Sequence, residues 1–141
     1  MRVEASQVID RPVGTVFQFY ARDHVRNHPR WDPMMELEQV GDGPIGVGTV
    51  IRRRNTHFGD PVEGTMTVTE FEEDRAFGVS IQDGDTETLG RMACEPAGPI
   101  KSRIIVSADM PWLEDPAVAG SLETMIQGTA DNIKALIEAE T

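Results

Sequence analysis

The sequence predicts an α+β fold, an antiparallel sheet of about seven strands wrapped around a long C-terminal helix, with two short helices after the first strand. Three observations predict it. A helical stripe follows directly on the first apolar strand, six strand-like runs separated by turn residues fill the middle, and a one-sided amphipathic segment closes the chain. At 141 residues this reads as a single domain, 1–141, long enough to bury a substantial core or a core with a pocket.

Residues Val3 to Ile9 form the expected first strand, and Asp10-Arg11-Pro12 leads into a helix. Proline suits a first helical turn because its missing N–H needs no partner there, and Asp10 sits where the helix dipole favours an anion. Val13, Val16, Phe17 and Tyr20 follow i, i+3, i+4, i+7 spacing, so one face of this helix packs inward. A second short helix is expected over Asp23 to His28, broken by Pro29 and Pro33.

From there the period changes to strands: Glu36 to Val40, Thr49 to Thr56, Val62 to Phe71, Ala76 to Gln82, Thr88 to Glu95 and Arg103 to Met110. Turn residues stand between them, such as Gly41-Asp42-Gly43-Pro44, Asp83-Gly84-Asp85 and Pro96-Ala97-Gly98-Pro99. Short loops between successive strands imply an antiparallel meander.

The last element starts with Asp115 as expected N-cap and Pro116 at the first helical position. Val118, Leu122, Met125, Ile126, Thr129, Ile133, Leu136 and Ile137 recur at intervals of three and four, while Glu123, Gln127, Asp131, Lys134 and Glu138 face away. At 1.5 Å per residue the helix spans on the order of 30 Å and can cross a whole sheet.

Charge narrows the partners. A formal net charge of −11, spread along the chain, reads as a solvated surface and argues against nucleic acid and against stable association with an anionic membrane. The Met1-Arg2-Val3-Glu4 start lacks a signal-peptide core and no run is long enough to span a bilayer, so a cytoplasmic location is expected. A lone cysteine, Cys94, has no internal disulfide partner and reads as a small strand residue.

The order of elements, with Ile9-Asp10-Arg11-Pro12, the Val16-Phe17 pair, Trp31-Asp32-Pro33, Gly46-Val47-Gly48-Thr49, Val68-Thr69-Glu70-Phe71 and the closing helix, resembles the polyketide cyclase/dehydrase-like group of the START-related, helix-grip (SRPBCC) superfamily. The resemblance covers nearly the whole chain. It implies a sheet gripping the last helix around an apolar cavity; members of the superfamily include carriers, sensors, cyclases, hydrolase-like enzymes and chaperone cofactors.

Seven methionines against few aromatics fit either ordinary core filling or flexible walls around a ligand. Strand alternation puts Met66 with Val68, Phe77 with Val79 and Ile81, and Ile104 with Val106, Ala108 and Met110 on shared faces. The expected ligand-lining set is Met66, Val68, Phe77, Val79, Ile81, Val106 and Met110 from the strands, with Leu122, Met125 and Ile126 from the helix. Trp31 and Phe17 are expected to pack the small helices against the sheet.

Arg52-Arg53-Arg54 sets the polarity of the interior. One parity puts Ile51, Arg53, Asn55 and His57 inward, the other Val50, Arg52, Arg54 and Phe58. The first is preferred because burying one cation costs less than burying two, and a single buried Arg can anchor a carboxylate or enolate oxygen. Alternatively, all three reach solvent along the sheet rim.

His57, at a strand end, is the better acid or base candidate. Glu63 and Glu70 are placed on the Met66 face of a regular strand, where a buried carboxylate could have a raised pKa, although exposed strand glutamates are commoner. His24 and His28, four apart, share a helix face, as zinc ligands do, but solvated histidines at a pocket mouth are the plainer reading, and no metal or cofactor is expected. No catalytic motif at fixed spacing is present.

Three functions follow as expectations. The first is binding of a small hydrophobic polyketide, lipid or isoprenoid by a monomer or homodimer. The second is a cyclase or dehydratase acting on such a ligand, with Arg53 as anchor and His57 or Glu70 as base. The third is a protein-interaction module.

Overall fold

A computed structural model describes residues 1–57 and 59–141. Phe58, part of the alternative parity above, lies outside the described residues. Strands β1 (Arg2–Ile9), β2 (Met35–Val40), β3 (Val50–Asn55), β4 (Val62–Glu72), β5 (Ala76–Asp83), β6 (Thr86–Gly98) and β7 (Lys101–Asp109) form one antiparallel sheet in the order β1-β7-β6-β5-β4-β3-β2. Only the β1–β7 pairing is non-sequential. The other neighbours are consecutive in sequence. Between β5 and β6 the loop has only two residues, and Gly84 takes φ +60°, which such a hairpin requires at its first position.

Helix α1 (Val13–Phe17) runs into a widened turn over Gln18–Arg22, in which the Asp23 N–H bonds the Gln18 carbonyl five residues back. Helix α2 (His24–Trp31) then begins, and it continues through Pro29, where the sequence predicts a break. Its own side chains satisfy carbonyls left by the widened turn: Asn27 Nδ2 donates to Phe19 O at 2.9 Å, and His24 Nδ1 lies 2.7 Å from Tyr20 O. Asp115 caps a short 3₁₀ turn, Pro116–Val118, by accepting from the Ala117 N–H, and the long helix α3 (Ala119–Glu140) follows it. The predicted cap is therefore right in residue and one turn early for the α-helix.

Helix α3 lies on β1 and β7, with α2 beside it. Its buried stripe is Ile126, Ala130, Ile133 and Ile137, narrower than the sequence stripe. Met125 is 54% exposed, because at about 100° per residue it sits a quarter turn from Ile126 and has no sheet opposite it. The C-terminal half is tied down by polar contacts: Lys134 Nζ to Val8 O (2.7 Å), the Asp10 N–H to Glu138 (2.9 Å), Gln7 to Asp131 (3.0 Å), and Arg30 to Glu140. No helix is long and apolar enough to cross a membrane among the described residues.

Candidate functional site

Register defines the concave face, since Cα partners in an antiparallel ladder point the same way. Partner rows run Gln39–Ile51–Met66–Ile81–Thr88, Val68–Val79–Gly90–Ala108–Val3 and Phe71–Phe77–Met92–Val106–Ala5. Of the expected lining set, Met66, Val68, Phe77, Val79, Val106, Met110 and Ile126 are buried in one continuous core, with Ile81 and Leu122 at its margin. Met125 is on the outside. In place of a sealed chamber, the described residues show a strip of partly exposed concave positions, Leu37, Ile81, Thr88, Gly90, Met92 and Ala108. Trp112 crosses its rim, its indole N–H donating to Thr88 Oγ1 at 3.1 Å. One depression lies around Glu4, Arg103 and Gln127, and another takes in Leu37, Arg53 and Gly64 together with Glu36, Arg52 and Glu63.

At one end of this strip the face turns polar. The row Leu37–Arg53–Gly64 comes from β2, β3 and β4, and Asp83 reaches toward it from the end of β5. Arg53 keeps only 9% of its side chain exposed, against 68% for Arg52 and 44% for Arg54, which pair with Glu38 and Glu36 outside. The single-cation parity is the one adopted. Arg53 Nε and Asp83 Oδ1 stand 3.5 Å apart without hydrogen-bond geometry, and both are buried without a partner among the described residues. Burial lowers the Arg53 pKa, while Asp83 and Asp32 oppose that shift. Gly64 makes the approach possible: a Cβ there would run into the Asp83 carboxylate and the Gln82 carbonyl.

Facing this row is a histidine cluster. His57 Nε2 lies 2.7 Å from Asp32 Oδ2, so the Trp31-Asp32-Pro33 segment supplies a carboxylate that orients the imidazole. His24 is not solvated, and His28 is only partly exposed. His24 is buried, His28 Nδ1 is 2.9 Å from His24 Nε2, and the His28 ring stacks on Trp31 at 4.9 Å and 18°. Burial pulls His24 down to about 4 and, with His24, Arg53 and His57 nearby, holds His28 well below the ordinary imidazole range. The i, i+4 spacing signalled their shared face, but nothing in the sequence marked the burial of His24. Among the described residues no three His, Cys, Asp or Glu side chains converge as a metal site requires.

Glu70 is not in this site. A bulge between Val68 and Glu70 shifts the register, so Glu70 pairs with Gly78 on the outer face and binds Arg91 at 2.8 and 3.3 Å. The hydrogen bond from Arg91 lowers its pKa, the reverse of a buried base. Glu63 also points outward, opposite Arg54, because it lies an odd number of residues from Met66. Cys94 is buried, bonded by Tyr20 Oη at 3.3 Å, and desolvation raises its thiol pKa, which leaves it unreactive.

Aromatic side chains link the small helices to the sheet. Phe17 meets Tyr20 and Phe71 edge-on at 5.4 and 5.3 Å, and Trp31 lies 5.9 Å from Phe19. Phe17 therefore packs helix against sheet, whereas the aromatic contacts of Trp31, to Phe19, His24 and His28, lie within the small helices.

Comparison with known proteins places this arrangement. No curated protein matches by sequence. The fold is shared with a START superfamily protein from Mycobacterium smegmatis (15% identity, 99% of each chain covered, TM-score 0.78). It is also shared with the Zhui aromatase/cyclase from Streptomyces sp. R1128 (12% identity, 98% of this chain and 93% of that one, TM-score 0.75). Norcoclaurine synthase from Thalictrum flavum is similar over 100% of this chain and 88% of its own (17% identity, TM-score 0.72). The family model described as polyketide cyclase/dehydrase and lipid transport matches residues 1–138, and the chain belongs to that family.

Proposed function

We propose that this protein binds a small, largely apolar organic molecule of polyketide, lipid or isoprenoid class on the concave face beneath α3. The observation that carries this reading is the partly exposed apolar strip ending at an inward guanidinium whose Nε has no hydrogen-bond partner among the described residues and only a loose ion pair with Asp83. Leaving apolar surface wet and a buried donor unpaired costs stability, and a ligand with an oily body and one oxygen-bearing end relieves both. Met66, Val79, Ile81, Met110 and Leu122 are the proposed contacts of the body, and Arg53 of the end. The family, and the cyclase and carrier functions within it, support this ligand class. The test is a thermal-shift panel of aromatic polyketides, fatty acids and isoprenoids, in which a bound class raises the melting temperature by mass action. No shift with any class would reject the reading.

A second reading, catalysis of cyclisation or dehydration on the bound ligand, is favoured by one specific observation. The Asp32–His57 pair, at 2.7 Å, is an oriented imidazole near the Arg53 anchor. His57→Gln would then abolish turnover of a candidate substrate while leaving its affinity intact. Equal turnover in the variant would leave binding alone.

A further inference from the structure

The α2 histidine pair has a use beyond packing. Tyr20 O accepts only, so His24 Nδ1, 2.7 Å away, carries the proton. A neutral His24 then presents a bare Nε2, and His28 Nδ1, at 2.9 Å, must donate to it. That leaves His28 Nε2 with a lone pair, no hydrogen, and no hydrogen-bond partner among the described residues. The ring is held by stacking on Trp31 and by the edge-on His24 ring at 4.8 Å and 76°. A ring flip would break the His24 bond. The charged or titratable neighbours that act on His28 are His24 on its own helix, Arg53 on β3 and His57 after β3, with Asp32 and Asp83 flanking Arg53.

We infer that His28 Nε2, its tautomer set by the Tyr20–His24 chain, is the hydrogen-bond acceptor of the ligand site, and that with Arg53 it selects a ligand whose polar end carries an O–H or N–H donor close to an oxygen acceptor. This rests on the apolar-ligand reading and adds the polar end to it. His28 is a binding residue and His24 a positioning residue. Both remain uncharged at neutral pH: burial disfavours the imidazolium in each, and at His28 the neighbouring His24, Arg53 and His57 add to that effect. A cationic ligand head is disfavoured for the same reason.

The test uses the full chain and three matched probes: 2-methylnaphthalene, 2-naphthol and 2-naphthoate. ¹⁵N NMR of histidine-labelled protein should show both residues as neutral Nδ1–H tautomers between about pH 5.5 and 8. In His24→Phe the His28 signals should report mixed tautomers. 2-Naphthol should bind about tenfold tighter than 2-methylnaphthalene, the worth of one well-made hydrogen bond in a shielded site. His28→Phe, which keeps the stack on Trp31, should erase that advantage, so that 2-naphthol binds the variant no tighter than 2-methylnaphthalene does. An Nε2–H tautomer at His28 in the native protein, titration of His28 near pH 6.5 as in a solvated imidazole, or a 2-naphthol advantage that survives His28→Phe would overturn the inference. If 2-methylnaphthalene itself fails to bind, the apolar-ligand reading falls, and the NMR result still decides the tautomer.

Discussion

The two ends of the concave face share one sheet and one helix yet obey different physics. At one end Phe17, Tyr20, Ile104, Ile133 and Ile137 have almost no exposed surface, and the C-terminal half of α3 is bonded to β1 through Lys134, Asp131 and Glu138. At the other, the early turns of α3 leave Ser121, Glu123, Thr124 and Met125 exposed, and the strands present Arg53 Nε and Asp83 Oδ1 as a loose ion pair with no hydrogen bond among the described residues. The difference teaches that stability is concentrated where the helix is clamped, so the other end can keep polar groups unpaired and apolar surface open.

The largest expected effect is at the clamped end. Ile133→Ala removes a fully buried side chain and should cost about 2 to 5 kcal/mol in urea denaturation, through lost transfer energy and the cavity left behind. A cost under about 1 kcal/mol would mean that this end is not tightly packed, and the contrast would vanish.

The next effect sits at the boundary, in His24. Its pKa is about 4 folded against 6.5 unfolded, so the unfolded chain binds more protons between those values. Stability is full above pH 6.5, falls as pH drops through this window and levels off below about 4. Between about pH 7 and 5 the loss should be about 2 kcal/mol from this residue, with His28 adding in the same direction. His24→Phe should flatten the slope. A denaturation midpoint that does not move over this range would break the link between burial and charge at α2.

The smallest effect has the opposite sign. Arg53→Met combined with Asp83→Leu replaces a poorly bonded, partly desolvated charge pair by apolar groups and should raise stability by about 1 kcal/mol. The same variant should lose any preference for 2-naphthoate over 2-methylnaphthalene. A fall in stability would show the pair to be well satisfied, and the open end to be built like the clamped one.

Much of this was legible in the residues, and the exceptions have specific causes. The parity of β3 followed from the cost of burying two cations, because a side-chain period of two leaves only two choices. Glu70 was misplaced because a bulge of one residue reverses every later side chain, and no residue type in Val68-Thr69-Glu70 announces it. Glu63 was misassigned on parity alone. The continuation of α2 through Pro29 depends on the tertiary seating of Trp31, which local propensity does not contain. Met125 fell on the predicted stripe, but helical spacing gives a helix's apolar side without saying where along its length the sheet ends.

By itself, then, the sequence determined the order of elements, the antiparallel meander, the family and which faces of most strands are apolar, because these follow from local period, turn chemistry and charge burial. Tertiary structure alone decided that His28 stacks on Trp31 beside Arg53, that Asp83 reaches across Gly64, and that α3 clamps one end of the sheet while leaving the other open. Those features join residues of α2, β3, β4 and β5 that are distant in the chain, and only the folded sheet sets their separations.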